Sequence, residues 1–128
     1  MLSYQHSERW RTTNLTTMRA TFDAGSALDW DTLFLGYTNA TAAATLRVTS
    51  GDVSGNLFTS APYDRTQTLR IPYFGEFTAW HAWHAAESVQ HYRYVGIEVT
   101  DAGNPDAHFN AGICYIGTRL TPLLEANP

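Results

Sequence analysis

Lysine is absent from the chain, and all eight basic residues are arginine. That excludes Schiff-base lysines and the lysine of a phosphate loop, and leaves guanidinium contacts as the strong cationic chemistry. Cysteine is nearly absent. The single Cys114 has no partner for an internal disulfide, so the fold must stand on packing alone. Charge is scarce as well: charged residues make up 16% and the net charge is −4. No run of Arg could neutralise a row of phosphates, so nucleic acid is not an expected partner. No apolar run approaches the roughly 20 residues that span a bilayer, and membrane insertion is not expected. The first residues, Met1 to His6, lack a basic stretch followed by an apolar one, so no secretory signal is expected and synthesis is placed in the cytoplasm. The Gly-x-Ser-x-Gly elbow and the glycine-rich phosphate loop are both missing.

Helical periodicity is nearly missing too, whereas period-two alternation is frequent. In 128 residues, with 44% hydrophobic and 13% aromatic, a single folded domain over 1–128 is expected. Met18–Phe22 alternates up to a turn at Asp23-Ala24-Gly25-Ser26. Trp30–Leu35 stops at Gly36, and Ala44–Thr49 stops at Ser50-Gly51-Asp52. Thr68–Ile71 runs into Pro72, and Tyr92–Thr100 places Val95, Ile97 and Val99 on one face. After a break at Asp101–Asp106, the residues Phe109, Ala111, Ile113 and Tyr115 alternate along a last long strand. Seventeen Thr add β-propensity. Short strands at this spacing predict an all-β sandwich or barrel. Phe77–Val89 stands apart, as one or two helical turns or a long loop studded with aromatic residues.

Several constellations could carry chemistry. Trp80, Trp83 and Tyr92, with Phe77 near them and His81 and His84 between, could form a platform on which sugar rings stack. The same residues more readily anchor the segment on the core or bury against another protein chain. His81, His84, His91 and His108 raise a metal reading, but the Glu and spacing of a zinc-hydrolase helix are missing, so no metal or other cofactor is expected. Asp101, Asn104, Asp106 and Asn110 offer oxygen ligands for calcium or, more simply, the side chains of an Asx-rich turn. Asp29 and Asp31 flank Trp30 and would point the same way on a strand, as a carboxylate pair for acid and base work requires. No third group completes a site, and a non-enzymatic protein is expected. Cys114 lies mid-strand and reads as a buried, inert thiol.

Three segments in order carry a family likeness. Trp10-Arg11-Thr12-Thr13 leads to Phe22-Asp23-Ala24-Gly25. Trp30 to Asn39 leads to Ala43–Val48, and Tyr92 to Asp101 is followed by Asn104-Pro105-Asp106 and Ile113–Gly117. This order resembles discoidin-like, galactose-binding-type jelly rolls, specifically those in virion proteins of tailed bacteriophages and prophages. Ala24 stands where that family usually has Leu, and Gly96 where a large or basic residue is common. The resemblance covers Trp10 to Pro122. It implies a jelly-roll β-sandwich of about eight antiparallel strands. It also implies a non-enzymatic structural component of a virion, attached to capsid, tail or baseplate, with other virion proteins and homo-oligomeric copies as partners. The alternative is a carbohydrate-binding module that recognises host-surface glycans.

Overall fold

The computed structural model describes residues 3–5, 10–11, 17–69 and 80–118. Among them eight strands form: β1 (Ser3–Gln5), β2 (Trp10–Arg11), β3 (Met18–Thr38), β4 (Thr45–Gly51), β5 (Tyr63–Thr68), β6 (Trp80–Thr100), β7 (Asn110–Ala111) and β8 (Ile113–Gly117). All the pairings are antiparallel. The expected all-β, discoidin-like jelly-roll sandwich is what the chain builds.

Two strands of 21 residues each, β3 and β6, organise the molecule. The main sheet runs in the order β1-β8-β3-β6-β4-β5, but both long strands change neighbours part-way. The first half of β3 pairs with the second half of β6, which pairs in turn with β4 and β4 with β5. The second half of β3 lies between the first half of β6 and β8, and β8 pairs with β1. Two half-sheets result, joined where β3 and β6 pass from one to the other. The crossing is made by reciprocal bulges. Between the pairs Asp23↔Tyr94 and Leu28↔Tyr92, β3 extrudes Ala24–Ala27 against Arg93 alone. Between Trp30↔Gln90 and Thr32↔Ala85, β6 extrudes Ala86–Val89 against Asp31 alone. Extra residues on one strand bend it and raise its twist, which lets a strand turn a sandwich corner.

The apolar faces of the half-sheets meet in one core. Rows in register, Met18–Val99–Leu46 and Ala20–Ile97–Val48, come from the first; Leu33, Leu35, Ala82 and Ile116 come from the second. Trp30, fully buried, sits at the corner, where its Nε1 donates to Ser50 Oγ at 3.0 Å and Ser50 donates to the Tyr94 carbonyl at 2.8 Å. The indole therefore keeps its polar atom satisfied inside the core.

Several expectations need correction. Asp23–Ser26 does not reverse the chain. Asp23 still pairs with Tyr94 and leads into the extruded Ala24–Ala27 of β3, where the Gly25 N–H donates to Asp23 Oδ1 and Gly25 takes φ +84°, a conformation open to glycine at little cost. Trp80–Val89 is neither helix nor loop but the first half of β6: Ala82, His84 and Ala86 are buried while Trp83, Ala85 and Glu87 are exposed. The strand expected at Thr68–Ile71 lies earlier, at Tyr63–Thr68, and Arg70 and Ile71 fall outside the described residues. The last strand is split at Gly112, whose N–H donates to the Gly36 carbonyl at 2.9 Å. Phe109 and Ala111 are buried before the split and Ile116 after it.

Candidate functional site

Alternation in β6 places His81 and Trp83 on the outer face of the second half-sheet, and alternation in β3 places Phe34 there between the buried Leu33 and Leu35. The register aligns Trp83 with Phe34, and Phe34 with Tyr115 of β8. Directly opposed side chains on one face touch. The Phe34 and Trp83 ring centroids lie 6.4 Å apart with planes at 75°, and Phe34 lies 5.5 Å from His81 at 33°. Gly36 makes this possible, because a Cβ on Gly36 would stand 2.8 Å from Phe34 Cε2. The bare strand lets the phenyl ring lean along it toward His81.

The strip ends on Tyr37. A register shift between Leu35 and Thr38 takes Tyr37 into the left-handed region at φ 58°. Its N–H donates to His81 Nδ1 at 3.1 Å, and its ring meets the imidazole at 5.1 Å and 89°. The rings thus follow one another as Trp83, Phe34, His81, Tyr37: a tilted inner pair flanked at each end by a ring set edge-on to its neighbour. The end rings are also the open ones, with Trp83 48% and Tyr37 58% exposed. Because His81 Nδ1 accepts, a neutral imidazole carries its proton on Nε2. Such a strip offers apolar ring faces beside a polar edge, the combination that meets a molecule with both C–H and hydroxyl surfaces.

Beneath the strip a polar chain runs from the core outward. Tyr63 Oη and His84 Nε2 are 2.6 Å apart, His84 Nδ1 and Gln67 Oε1 2.8 Å, and Gln67 Nε2 donates to the Trp83 carbonyl at 2.8 Å. That last bond sets the Gln67 amide with its oxygen toward His84. An amide oxygen only accepts, so Nδ1 carries the proton and Nε2 accepts from the Tyr63 hydroxyl. Burial pushes the His84 pKa below its ordinary value, in keeping with a neutral ring. Burial, reinforced by Glu87, pushes Tyr63 up to about 12. Arg65 and Glu87, 2.7 Å apart, close the outer end of this seam between β5 and β6.

Of the five residues singled out from the sequence, His81 and Trp83 come together on the strip. His84 does not join them: it is buried, facing inward, and offers no contact surface. Tyr92 is half-buried against the core beyond the Ala86–Val89 bulge, opposite Leu28. Trp80 opposes Thr38 at the start of β6, and its side chain lies outside the described residues, as does Phe77. Phe34 and Tyr37 went unnoticed in the sequence. The outward position of Phe34 could be read from its buried neighbours in β3, whereas its encounter with His81 and Trp83 depends on pairing across a long separation.

The other constellations dissolve into structure. Asp29 is exposed and paired with His91, while Asp31 is buried and accepts from Thr32 Oγ1 at 2.9 Å. The slip after Trp30 separates them, so they form no carboxylate pair. Asp101, Asn104 and Asp106 build the turn: Asp101 accepts from the Thr41 N–H, the Thr41 hydroxyl and Asn104 Nδ2, and Asn104 Oδ1 accepts from the Asp106 N–H. Among the described residues no group of three or more His, Cys, Asp or Glu is placed to hold a metal ion.

No protein-family model matches the chain, and no curated protein matches it. Solved structures do. The reduced XRCC1 bound to the catalytic domain of DNA polymerase β is similar with a TM-score of 0.60 at 10% identity, over 93% of this chain and 99% of that one. The CBM32 of AlyQ in complex with 4,5-unsaturated mannuronic acid is similar with a TM-score of 0.56 at 20% identity, over 91% and 92%. A chitosan-binding module from a chitosanase/glucanase of Paenibacillus sp. IK-5 follows with a TM-score of 0.50 at 15% identity, over 88% and 74%. None of these three is a virion protein. At such identities the likeness is one of fold alone, the discoidin-like jelly-roll β-sandwich.

Proposed function

We propose that this chain is a non-catalytic carbohydrate-binding module that holds sugar rings against the strip Trp83, Phe34, His81 and Tyr37. The observation that carries the reading is the strip itself: four rings in contact on a rigid outer sheet face, with the large end rings exposed. The apolar faces of pyranose rings stack on aromatic rings while their hydroxyls reach polar groups at the rim. Rings held on strands lose little freedom on binding. Two neighbours of the same fold support the reading, one seen with 4,5-unsaturated mannuronic acid and one named as chitosan-binding. The virion component that the sequence resemblance implies draws no support from these neighbours, and they favour a glycan as the partner.

The test is binding of the labelled chain to an oligosaccharide panel that includes chitosan and mannuronate oligomers. Trp83→Ala and Tyr37→Ala serve as controls, each checked by thermal melting. Saturable binding weakened about tenfold or more by Trp83→Ala in a folded chain is expected, as for other aromatic anchors. A folded wild-type chain that binds no glycan of the panel would overturn the reading.

A further inference from the structure

Resting on the strip as the sugar-contacting surface, we propose that Gln67 of β5 is its positioning residue. Its amide clamps the Trp83 carbonyl and ties that stretch of β6 to the buried Tyr63–His84 pair. In its first half β6 pairs with β3 on one side only, among the described residues, and on this stretch the Trp83 carbonyl accepts from a side chain of β5. Edge groups of this kind otherwise bond water and the strand frays. Gln67 Nε2 reaches that carbonyl at 2.8 Å, and Gln67 Oε1 accepts from His84 Nδ1. Below them the anchor is rigid. Tyr63 and His84 are 2% and 4% exposed, and Tyr63 meets the fully buried Trp30 edge-on at 5.3 Å. One half-buried side chain therefore connects the backbone beneath an exposed indole to the centre of the core.

The expected effect is on binding. Freeing a strand segment that carries a large ring adds the ordering of that ring to the cost of association. Loss of the clamp should weaken glycan binding about threefold to tenfold. Gln67→Glu is the discriminating variant. Its carboxylate keeps the size, the reach and the acceptor toward His84, but when ionised it has no hydrogen for the Trp83 carbonyl. The titratable and charged groups around this position are Tyr63, Asp64 and Arg65 on β5 and His84 and Glu87 on β6. Asp64 is paired with Arg47, and Arg65 with Glu87.

The experiment titrates the same oligosaccharide panel into the full chain and into Gln67→Ala and Gln67→Glu at neutral pH, with folding followed by thermal melting. Both variants should bind more weakly than the wild type. Wild-type affinity in both folded variants would overturn the positioning role and leave the strip intact. Loss in Gln67→Ala with wild-type affinity in Gln67→Glu would make Gln67 a packing residue and also overturn it. No binding by the wild type would remove the strip reading, and this proposal with it.

Discussion

Phe58 lies directly on Gly96. A Cβ built on Gly96 would stand 2.8 Å from Phe58 Cζ, 2.7 Å from Thr49 Oγ1 and 3.4 Å from Leu57 Cδ1. The segment after β4, with a 3₁₀ turn at Ser54–Asn56, folds back over the outer face of the first half-sheet and buries Leu57 there. The missing side chain at position 96 is the space it occupies. Phe58 then supports two guanidinium groups, Arg19 at 4.5 Å and Arg47 at 5.7 Å from its ring centroid. Glu98 pairs with both, at 2.6 Å and 3.2 Å.

Gly96→Ala should therefore overpack this cover. A loss of about 1–3 kcal/mol is expected, read as a lower denaturation midpoint in urea at unchanged slope. An unchanged midpoint would show that Phe58 and Leu57 leave the site at no cost.

His84 predicts a pH dependence of stability. Its folded pKa is held below the ordinary 6.5 because burial disfavours the cation. Between the folded value and 6.5 the unfolded chain binds a proton that the folded chain does not. Stability is thus highest above 6.5 and falls as the pH drops through that window. The melting temperature should begin to decline as the pH falls below about 6.5, above the range where carboxylates titrate. His84→Gln should flatten that slope; an equally steep decline in the variant would assign it to another group.

Asp101 should be a stability residue of the loop end. Its carboxylate is 2% exposed and accepts from both the backbone and the hydroxyl of Thr41 and from Asn104. Asp101→Ala strands those donors and should cost about 3 kcal/mol. Chelator should leave the wild-type melting temperature unmoved, since these oxygens serve the turn. A fall in melting temperature on chelation would instead reveal a bound cation.

Cys114 should resist thiol reagents. Burial pushes its pKa up to about 12, so little reactive thiolate exists near neutrality. Alkylation of the native chain at pH 8 should run at least about tenfold slower than in denaturant. Equal rates in both would contradict the burial.

How much of this could be read beforehand follows from the range of the interactions. Ala44–Thr49 and Tyr92–Thr100 declared themselves as strands because Leu46, Val48, Val95, Ile97 and Val99 alternate with polar residues, a local pattern. The first half of β6 did not, since its inward positions are Ala82, His84 and Ala86, two small residues and one polar. Only the core they face shows them to be strand. Asp23–Ser26 carries turn residues, and no local signal distinguishes a chain reversal from a bulge within a continuing strand. Of the candidate site, His81 and Trp83 were legible as aromatic and polar residues two apart. His84, with the same local chemistry, differs from His81 solely in which way the strand presents it.

The amino-acid sequence by itself determined an all-β chain without disulfides, rich in aromatic residues and poor in charge, because composition and period-two alternation act within a few residues. Tertiary structure alone decided that β3 and β6 would each run through both half-sheets, that Phe34 and Tyr37 would complete a strip with His81 and Trp83, and that His84 would turn inward to Tyr63 and Gln67. Those outcomes rest on the registers between β3 and β6 and on the contact of β5 with β6. A slip of one residue in either long strand would exchange its inner and outer faces, and the register is chosen by the burial of the whole core.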